Sequence, residues 1–232
     1  MKLAIVQPYF FPYIGYLQLI DAVDKFVVYD DVHFMKKRWI NRNYILIAGQ
    51  PSFIIVPLRK ASQNKLIKDV EIAGESGWRA KMLRSVELAY KKAPFFNDGF
   101  AVVHEVISRD EPKISNLAVA SLKAVARYLD IKTEFVDTST VYDNSQLRAQ
   151  ERILNICEIE RASAYINPIG GVPLYSKKAF NDKNISLNFL KPNPPLYKQY
   201  GADFTPSLSI IDVLMFNSRD KIKEYLLCYE LV

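Results

Sequence analysis

Alternating apolar and polar segments along the chain predict an α/β fold. The chain opens on an apolar run at residues 3–6, and a polar residue, two prolines and an apolar periodic segment at 17–23 follow it. A second apolar run, 24–31, ends in two aspartates. Strand, helix and strand in this order form a βαβ unit, which implies parallel strands and a right-handed crossover. Such folds bind ligands at the carboxyl ends of their strands, so we expect functional residues just after the first strand.

The remaining pattern extends this mixture of strands and helices. Further strands are predicted at 44–48 and 52–58, which form a hairpin around Gly49 to Pro51, and at 135–138, 164–167 and 185–190. Helical periodicity predicts helices at 77–92, 100–108, 114–129, 145–157, 209–216 and 218–227, with Ser145 as the cap of the fourth. We therefore expect one domain spanning residues 1–232. Its core is a Rossmann-like parallel sheet flanked by helices, with a helical insertion at about 75–130 and a C-terminal helical end.

Composition narrows the class of protein. Half of the 232 residues are hydrophobic, which suffices for a substantial core. With two cysteines, neither a disulfide framework nor a cysteine metal site is predicted, and a reducing cytoplasm is the expected compartment. No apolar run approaches the roughly 18 residues of a membrane-spanning helix, and the first residues do not have the pattern of a signal peptide.

The charge balance favours an anionic small-molecule partner. The net charge of +6 fits a nucleotide, a sugar nucleotide or another phosphorylated sugar. The basic residues are dispersed, however, and their densest cluster is 36–38. A nucleic-acid-binding protein would show a basic stripe or a recognition motif, so we do not expect nucleic acid as a partner.

Candidate catalytic residues follow the second predicted strand. Asp30 and Asp31 could coordinate Mg²⁺ beside a nucleotide, accept a substrate amine or hydroxyl, or cap the next element. Side chains alternate along a strand, so only one of the two is expected to face a site. His33 comes two residues later and is a candidate general base. Together with His104 it makes up the histidine content of the chain, so no metal-binding cluster is predicted.

Candidate binding residues occur in three further segments. Gln7 is a polar residue at the tip of a buried strand, where side chains face the ligand crevice. Guanidinium and amide groups that suit a phosphate or carboxylate lie at Arg38, Asn41, Arg42 and Asn43. Gly170 and Gly171 supply unobstructed backbone amides for an anion. The same cleft is expected to include the side chains Asn167, Tyr175, Tyr197 and Gln199.

Five blocks of sequence carry a resemblance to a known family. They are Gln-Pro-Tyr-Phe-Phe-Pro-Tyr-Ile-Gly-Tyr at 7–16, Tyr-Asp-Asp at 29–31, Trp-Ile-Asn-Arg-Asn at 39–43, Asn-Pro-Ile-Gly-Gly-Val-Pro-Leu-Tyr at 167–175 and Leu-Ser-Ile-Ile-Asp at 208–212. In this order they resemble the WbqC-like family. The resemblance implies a role in bacterial surface polysaccharide, lipopolysaccharide and O-antigen biosynthesis, where the proposed reaction attaches glycine or another amino acid to a sugar.

A second resemblance concerns the turn at 12–16. It lies where nucleotidyltransferases, pantothenate synthetase and class I aminoacyl-tRNA synthetases have a His-Ile-Gly-His motif, and Tyr13 and Tyr16 occupy the histidine positions. This resemblance implies that Gln7, Tyr13, Gly15 and Tyr16 bind a nucleotide.

Three functions remain open at this stage. The first is an aminoacyl or acyl transferase, or ligase, that uses ATP or an activated donor and acts on an amino-sugar nucleotide or a lipid-linked sugar. The second is a Mg²⁺-dependent glycosyltransferase-like enzyme that binds a nucleotide sugar. The third is a non-catalytic nucleotide- or sugar-binding partner in polysaccharide assembly.

Overall fold

A computed structural model describes residues 1–74, 77–201 and 203–232. Its helices and strands follow in chain order: β1 (Lys2–Val6), α1 (Ile14–Asp21), β2 (Lys25–Val28), β3 (Arg42–Ile47), β4 (Gln50–Ile55), β5 (Leu58–Arg59), β6 (Glu71–Ile72), α2 (Trp78–Tyr90), α3 (Phe96–Ile107), α4 (Ile114–Tyr128), β7 (Glu134–Val136), α5 (Ala149–Ile159), β8 (Ala164–Pro168), α6 (Lys177–Asn181), β9 (Ser186–Pro192), α7 (Ile210–Phe216), α8 (Arg219–Leu226) and β10 (Tyr229–Leu231).

The central sheet has the strand order β10-β9-β8-β1-β2-β7 within the described ranges. All neighbouring pairs are parallel except β9 and β10, which are antiparallel. Helices flank this sheet, and the predicted α/β class is confirmed. From β1 the chain adds β2 and β7 on one side and later β8 and β9 on the other. The carboxyl ends of β1 and β8 therefore border the crevice where the order of strands reverses, which is the usual ligand position in such sheets.

Burial on both faces explains why β1 reads as a continuous apolar run. Ala4 packs into the larger core, which α1, α3, α4 and α7 cover, whereas Leu3 and Ile5 pack into a second core beneath α5 and α6. Parallel strands covered on both faces have this composition. The same burial holds for Phe26, Val27 and Val28 of β2.

The three helices α2, α3 and α4 lie between β6 and β7, where a helical insertion is predicted. Residues 75 and 76 at the predicted start of that insertion lie outside the described residues. No helix in the described ranges has the length and apolar composition needed to cross a bilayer.

The hairpin turn differs from the predicted one. Ile47 pairs with Gln50, so Ala48 and Gly49 form a two-residue turn, and Pro51 belongs to β4. Both turn residues have positive φ, 51° and 76°, which is the geometry that matches the twist of a two-residue hairpin.

Helix α5 begins later than predicted. It starts at Ala149 with Arg148 at the N-cap, so the prediction of Ser145 as its cap is wrong. The preceding turn is held instead by Asn144, whose side chain donates to Asn155 Oδ1 at 2.8 Å and accepts from Arg152 Nε at 2.9 Å. The short elements β5, β6, α6 and β10 were not predicted, because two to five residues are too few to show a periodicity.

Candidate functional site

The loop between β1 and α1 forms one wall of a cavity of about 320 Å³, which we call the aromatic cleft. Its position follows from the fold, because this loop leaves the carboxyl end of β1 beside the crevice between β1 and β8. The residues that line it come from three distant parts of the chain: Tyr9, Pro12, Tyr13, Trp39, Asn43 and Ser207. Of these, Tyr13 and Asn43 were predicted as binding residues, whereas Tyr9, Trp39 and Ser207 were not.

A strained residue anchors this loop. Phe11 is fully buried and has a φ of 40°, a conformation that costs a bulky side chain about 1–3 kcal/mol. Its N–H donates to Ser121 Oγ at 3.0 Å, and its carbonyl accepts from Asn43 Nδ2 at 2.8 Å and Ser209 Oγ at 2.7 Å. Three hydrogen bonds from separate elements therefore hold the loop in one conformation.

Asn43 supports the loop as well as lining the cleft. Its Nδ2 also donates to the carbonyl of Phe10 at 3.3 Å, and its Oδ1 accepts from the N–H of Tyr44 at 2.8 Å. The amide is thus largely engaged by backbone groups. Asn43 thus positions the part of the loop formed by Phe10 and Phe11.

Two half-buried phenols, Tyr9 and Tyr13, bring hydrogen-bonding groups to the cleft, as do the indole N–H of Trp39 and the hydroxyl of Ser207. Burial raises the pKa of Tyr9 and Tyr13 above the ordinary value of 10.0, and the nearby positive charge of Arg38 opposes this effect on the pKa of Tyr9. Both side chains are therefore neutral hydrogen-bond donors at neutral pH. Arg38 is exposed beside Tyr9, at the edge of the cleft.

The other residues of the predicted nucleotide loop are packed into the fold. Tyr16 is buried, and its hydroxyl donates to the carbonyl of Gln7 at 2.7 Å. Gly15 lies in the first turn of α1 beneath the ring of Tyr13, where a Cβ would come within 2.4 Å of that ring and 2.6 Å of Pro192. Glycine is required there so that the ring can lie against the helix. Gln7 itself is half-buried at the end of β1.

Asp31 forms a buried ion pair with Arg152 of α5. Their side chains are 6% and 5% exposed. Asp31 also accepts from the hydroxyl of Ser139, and the Arg152 guanidinium lies 5.0 Å from the centre of the Tyr29 ring. Both oxygens of this carboxylate therefore have donors from the protein.

Asp30 points to a different set of donors. Its carboxylate accepts from Ser115 Oγ at 2.9 Å, Thr138 Oγ1 at 2.7 Å and the N–H of Ser139 at 3.3 Å. Burial raises its pKa, and the hydrogen bonds oppose that rise. Mg²⁺ requires carboxylate oxygens that are free to coordinate it, and the donors around Asp30 and Asp31 do not fit this requirement. In the described part of the chain, no group of three or more His, Cys, Asp or Glu side chains is arranged to hold a metal.

The other predicted site residues between 33 and 43 contact neighbouring parts of the chain. His33 is exposed, and its backbone pairs with Leu66. Asn41 Nδ2 donates to the carbonyl of Val56 at 2.9 Å. The Arg42 guanidinium lies 4.5 Å from the centre of the Phe53 ring and donates to the carbonyl of Lys37.

The segment after β8 does not contribute to the lining of the aromatic cleft. Asn167 accepts from the Tyr165 hydroxyl at 3.0 Å and donates to the carbonyl of Pro168 at 3.1 Å. A Cβ at Gly171 would come within 1.7 Å of Asn167 Nδ2, so this glycine is needed for packing, whereas Gly170 faces open space. Tyr175 packs edge-on against the Tyr165 ring, with 5.7 Å between centres.

A buried carboxylate that sequence reasoning missed lies behind the predicted residues Tyr197 and Gln199. Asp212 is fully buried and accepts from Tyr90 Oη at 2.8 Å, Tyr197 Oη at 2.7 Å and Gln199 Nε2 at 3.1 Å. Burial raises its pKa. A signal was present, because Asp212 ends one of the five recognised blocks.

This Asp212 cluster fixes one wall of a second cavity of about 630 Å³, which we call the apolar cavity. The wall is formed by residues within 192–197 and 204–207. The two cavities share Tyr13 and Ser207 and so adjoin each other.

Comparison with known proteins identifies a protein family and a bacterial protein to which the chain is similar. The sequence model of the WbqC-like protein family matches residues 7–224, which include every candidate residue named above, and the resemblance inferred from the sequence is confirmed. A protein of Mycobacterium tuberculosis, "Uncharacterized protein Rv1507c", is 30% identical over 230 residues, covering 97% of each chain. No solved structure matches the chain.

Proposed function

The chain belongs to the WbqC-like protein family, and from this membership and the aromatic cleft we propose that it is an enzyme of bacterial surface polysaccharide biosynthesis. The family is associated with O-antigen biosynthesis genes. The reaction we propose is the transfer of an amino acid such as glycine, or a similar acyl group, to the amine of an amino sugar.

The observation that carries the proposal is the lining of the aromatic cleft. A sugar ring has apolar C–H faces that pack on aromatic side chains and hydroxyl groups that hydrogen-bond to phenols. Trp39, Tyr9 and Tyr13 offer both kinds of contact in one cavity. Its volume of about 320 Å³ is at the lower end of the range for small-molecule sites. The strained and well-anchored loop beside it fits a preorganised binding site.

The two phenols also suit the chemistry. In acyl transfer, the amine nitrogen of the sugar forms a bond to the acyl carbon, the leaving group departs from that carbon, and the amine loses a proton. Negative charge develops on the acyl oxygen, and neutral donors stabilise it. Tyr9 and Tyr13 would supply such donors, because a phenol is protonated at neutral pH and burial raises the pKa of both further. The acyl carbon would carry a leaving group that comes from ATP or from a donor activated beforehand, and His33, the predicted base, would accept the proton that the amine loses.

The test is incubation of the purified protein with ATP, an amino acid and an amino sugar, supplied as a nucleotide and in lipid-linked form. We expect mass spectrometry to detect the added mass of one glycyl or other aminoacyl group. Tyr13→Phe should lower the rate by about 100–1000-fold, as expected for loss of one oxyanion donor. The matched control is Tyr128→Phe, which removes a half-buried phenol on α4 outside both cavities.

The same assay decides between this proposal and the two alternatives from the sequence. Transfer of the sugar itself, abolished by a chelator, would indicate the glycosyltransferase-like enzyme. Tight binding of sugar nucleotide with no product from a broad panel of amino acids and acceptors would indicate the non-catalytic partner. Either result would refute aminoacyl transfer.

A further inference from the structure

The apolar cavity has a lining with very few polar groups. Among the described residues that line it, none is charged, and four are prolines: Pro192, Pro194, Pro195 and Pro206. The others are mainly aliphatic or aromatic side chains, including Leu196, Phe204, Leu208 and Val213. A proline has no backbone N–H, so a third of this lining cannot donate a hydrogen bond from its main chain.

This chemistry disfavours a nucleobase as the occupant. A base has several polar edge atoms, and each one buried without a partner costs about 1–3 kcal/mol. The phenol of Tyr197 already donates to Asp212, which leaves Ser207 and Tyr13 as the other polar side chains of the lining. A hydrocarbon chain requires no such partners, and each buried methylene group contributes about 0.8 kcal/mol.

Hydrogen bonds hold the wall of the cavity in one conformation. Beyond the Tyr197–Asp212 hydrogen bond, Gln199 Nε2 donates to the carbonyl of Thr205 at 3.1 Å, and its Oε1 accepts from the N–H of Thr205 at 2.8 Å. These contacts hold Gln199 against Thr205, and the hydrogen bonds to Asp212 tie Tyr197 and Gln199 to α7. The cavity is therefore preorganised, as ligand sites usually are.

The position of the apolar cavity indicates that a molecule bound in it would extend into the aromatic cleft. It adjoins the aromatic cleft through Tyr13 and Ser207. At its rim, Leu196 is 75% exposed, which offers a further apolar contact to a chain longer than the cavity.

We propose that the acceptor sugar carries an aliphatic chain, and that this chain lies in the apolar cavity while the sugar lies in the aromatic cleft. This inference rests on the proposed function for the identity of the sugar. Of the two acceptor classes left open by the sequence, it selects the lipid-linked sugar over the soluble sugar nucleotide.

The experiment measures binding without turnover. The probes are butyl, hexyl and octyl glycosides of glucosamine, used below their micelle-forming concentrations. In a Trp78→Phe background, Trp39 is the single tryptophan, and its fluorescence reports on the aromatic cleft. Titration calorimetry on the unmodified chain gives a second measurement that does not depend on tryptophan. We expect the affinity to rise about fourfold per methylene group, which is the equivalent of about 0.8 kcal/mol.

A pair of matched variants tests whether the alkyl chain of the glycoside lies in the apolar cavity. Leu196→Glu introduces a charge at the rim of the cavity and should weaken octyl glycoside binding at least tenfold while changing butyl glycoside binding much less. Leu227→Glu alters a leucine that is 71% exposed at the end of α8, outside the cavity, and should leave both affinities unchanged. Circular dichroism checks that both variants are folded.

Several outcomes would overturn the inference. They are an affinity independent of chain length, an equal loss in both variants, and adenosine binding that only Leu196→Glu abolishes. The test of aminoacyl transfer is independent of this binding test. Chain-dependent binding without any aminoacyl transfer would support the cavity assignment and refute the proposed function, whereas transfer to a soluble sugar nucleotide with chain-independent binding would do the opposite.

Discussion

Replacing Arg152 with methionine tests whether Asp31 is held by a structural ion pair. Methionine is unbranched and fills much of the space of the arginine stem but removes the guanidinium. Four contacts disappear: the ion pair with the Asp31 carboxylate, the hydrogen bond from Nη1 to the Asp31 carbonyl at 3.5 Å, the hydrogen bond from Nε to Asn144 at 2.9 Å and the packing on Tyr29. The Asp31 carboxylate, 6% exposed, keeps only the hydroxyl of Ser139 as a side-chain donor within the described residues.

The size of the effect follows from this burial. Removal of one partner from a buried ion pair costs about 3–5 kcal/mol, because the other charge stays buried without compensation. In a chain of this length each kcal/mol lowers the melting temperature by about 2–4 °C, so a fall of roughly 6–20 °C is expected. An exposed pair behaves differently. Lys178 and Asp182 are 82% and 59% exposed, and Lys178→Met should cost less than about 1 kcal/mol.

The assay is urea unfolding followed by circular dichroism, with Arg152→Met and Lys178→Met compared under the same conditions. A double variant, Asp31→Leu with Arg152→Met, removes both charges and should regain at least half of the lost stability. If Asp31 has only a structural role, aminoacyl transfer should return together with stability. Loss of activity in a stable double variant would instead support the sequence-based assignment of Asp31 as catalytic.

An Arg152→Met variant no more destabilised than Lys178→Met would refute a stabilising role for the buried ion pair. A double variant less stable than Arg152→Met would refute it as well, since removal of the second charge should relieve the cost of the first. A change in the urea dependence of the free energy would mean that the compactness of the folded or unfolded state had changed.

Three further predictions concern other parts of the chain. Ala48→Asn should stabilise the protein by about 0.5–1 kcal/mol in thermal unfolding, because asparagine followed by Gly49 is the preferred sequence for this hairpin turn; Ala48→Val, with a branched side chain, should destabilise it. Asn43→Ala should cost about 1–3 kcal/mol in urea unfolding and lower transfer activity, because the carbonyl of Phe11 loses a donor; an unchanged stability would contradict the role given to this amide. Asp212→Asn tests how the stability depends on pH. Burial raises the folded-state pKa of Asp212 above 3.8. The stability that this group contributes is therefore fully present below pH 3.8 and is lost as the pH rises through the folded-state pKa. The stability of the wild type relative to Asp212→Asn should therefore fall as the pH rises above about 4, and urea unfolding from pH 4 to 8 that gives a constant difference would contradict it.

The fold was largely predictable because its strands have distinctive composition. The apolar runs that became β1, β2, β8 and β9 are buried on both faces, and few structures other than a covered parallel sheet accommodate such runs. The hairpin was also predicted, but its turn was placed at 49–51 rather than at 48–49, because Gln50 and Pro51 were taken as turn residues and lie in a strand. The antiparallel edge strand β10 was missed because its three residues carry no pattern.

The candidate site was predictable only in part. Tyr13 and Asn43, two of the predicted binding residues, line the aromatic cleft, which lies at the loop that follows the carboxyl end of β1. Trp39 was missed although it begins one of the five recognised blocks, and Ser207 was missed because it lies outside those blocks and far along the chain from Tyr13 and Trp39. The predicted roles of Asp30, Asp31 and His33 in catalysis stay predictions, and the activity of the double variant described above is a direct test for Asp31.

By itself, the sequence determined the class of fold and the family, and it predicted a region in which to expect a ligand. These properties depend on local patterns, since the periodicity of a helix or strand and the composition of a short motif are complete within a few neighbouring residues. The tertiary structure decided which polar groups are partners. Asp31 and Arg152 are 121 positions apart, and Tyr90 and Asp212 are 122 apart. Only the packed chain brings such groups together, and once they are buried each depends on its partner for hydrogen bonds. The sequence does not show these distant partners. It therefore cannot distinguish a carboxylate that is free to bind a ligand from one whose oxygens already accept from protein donors.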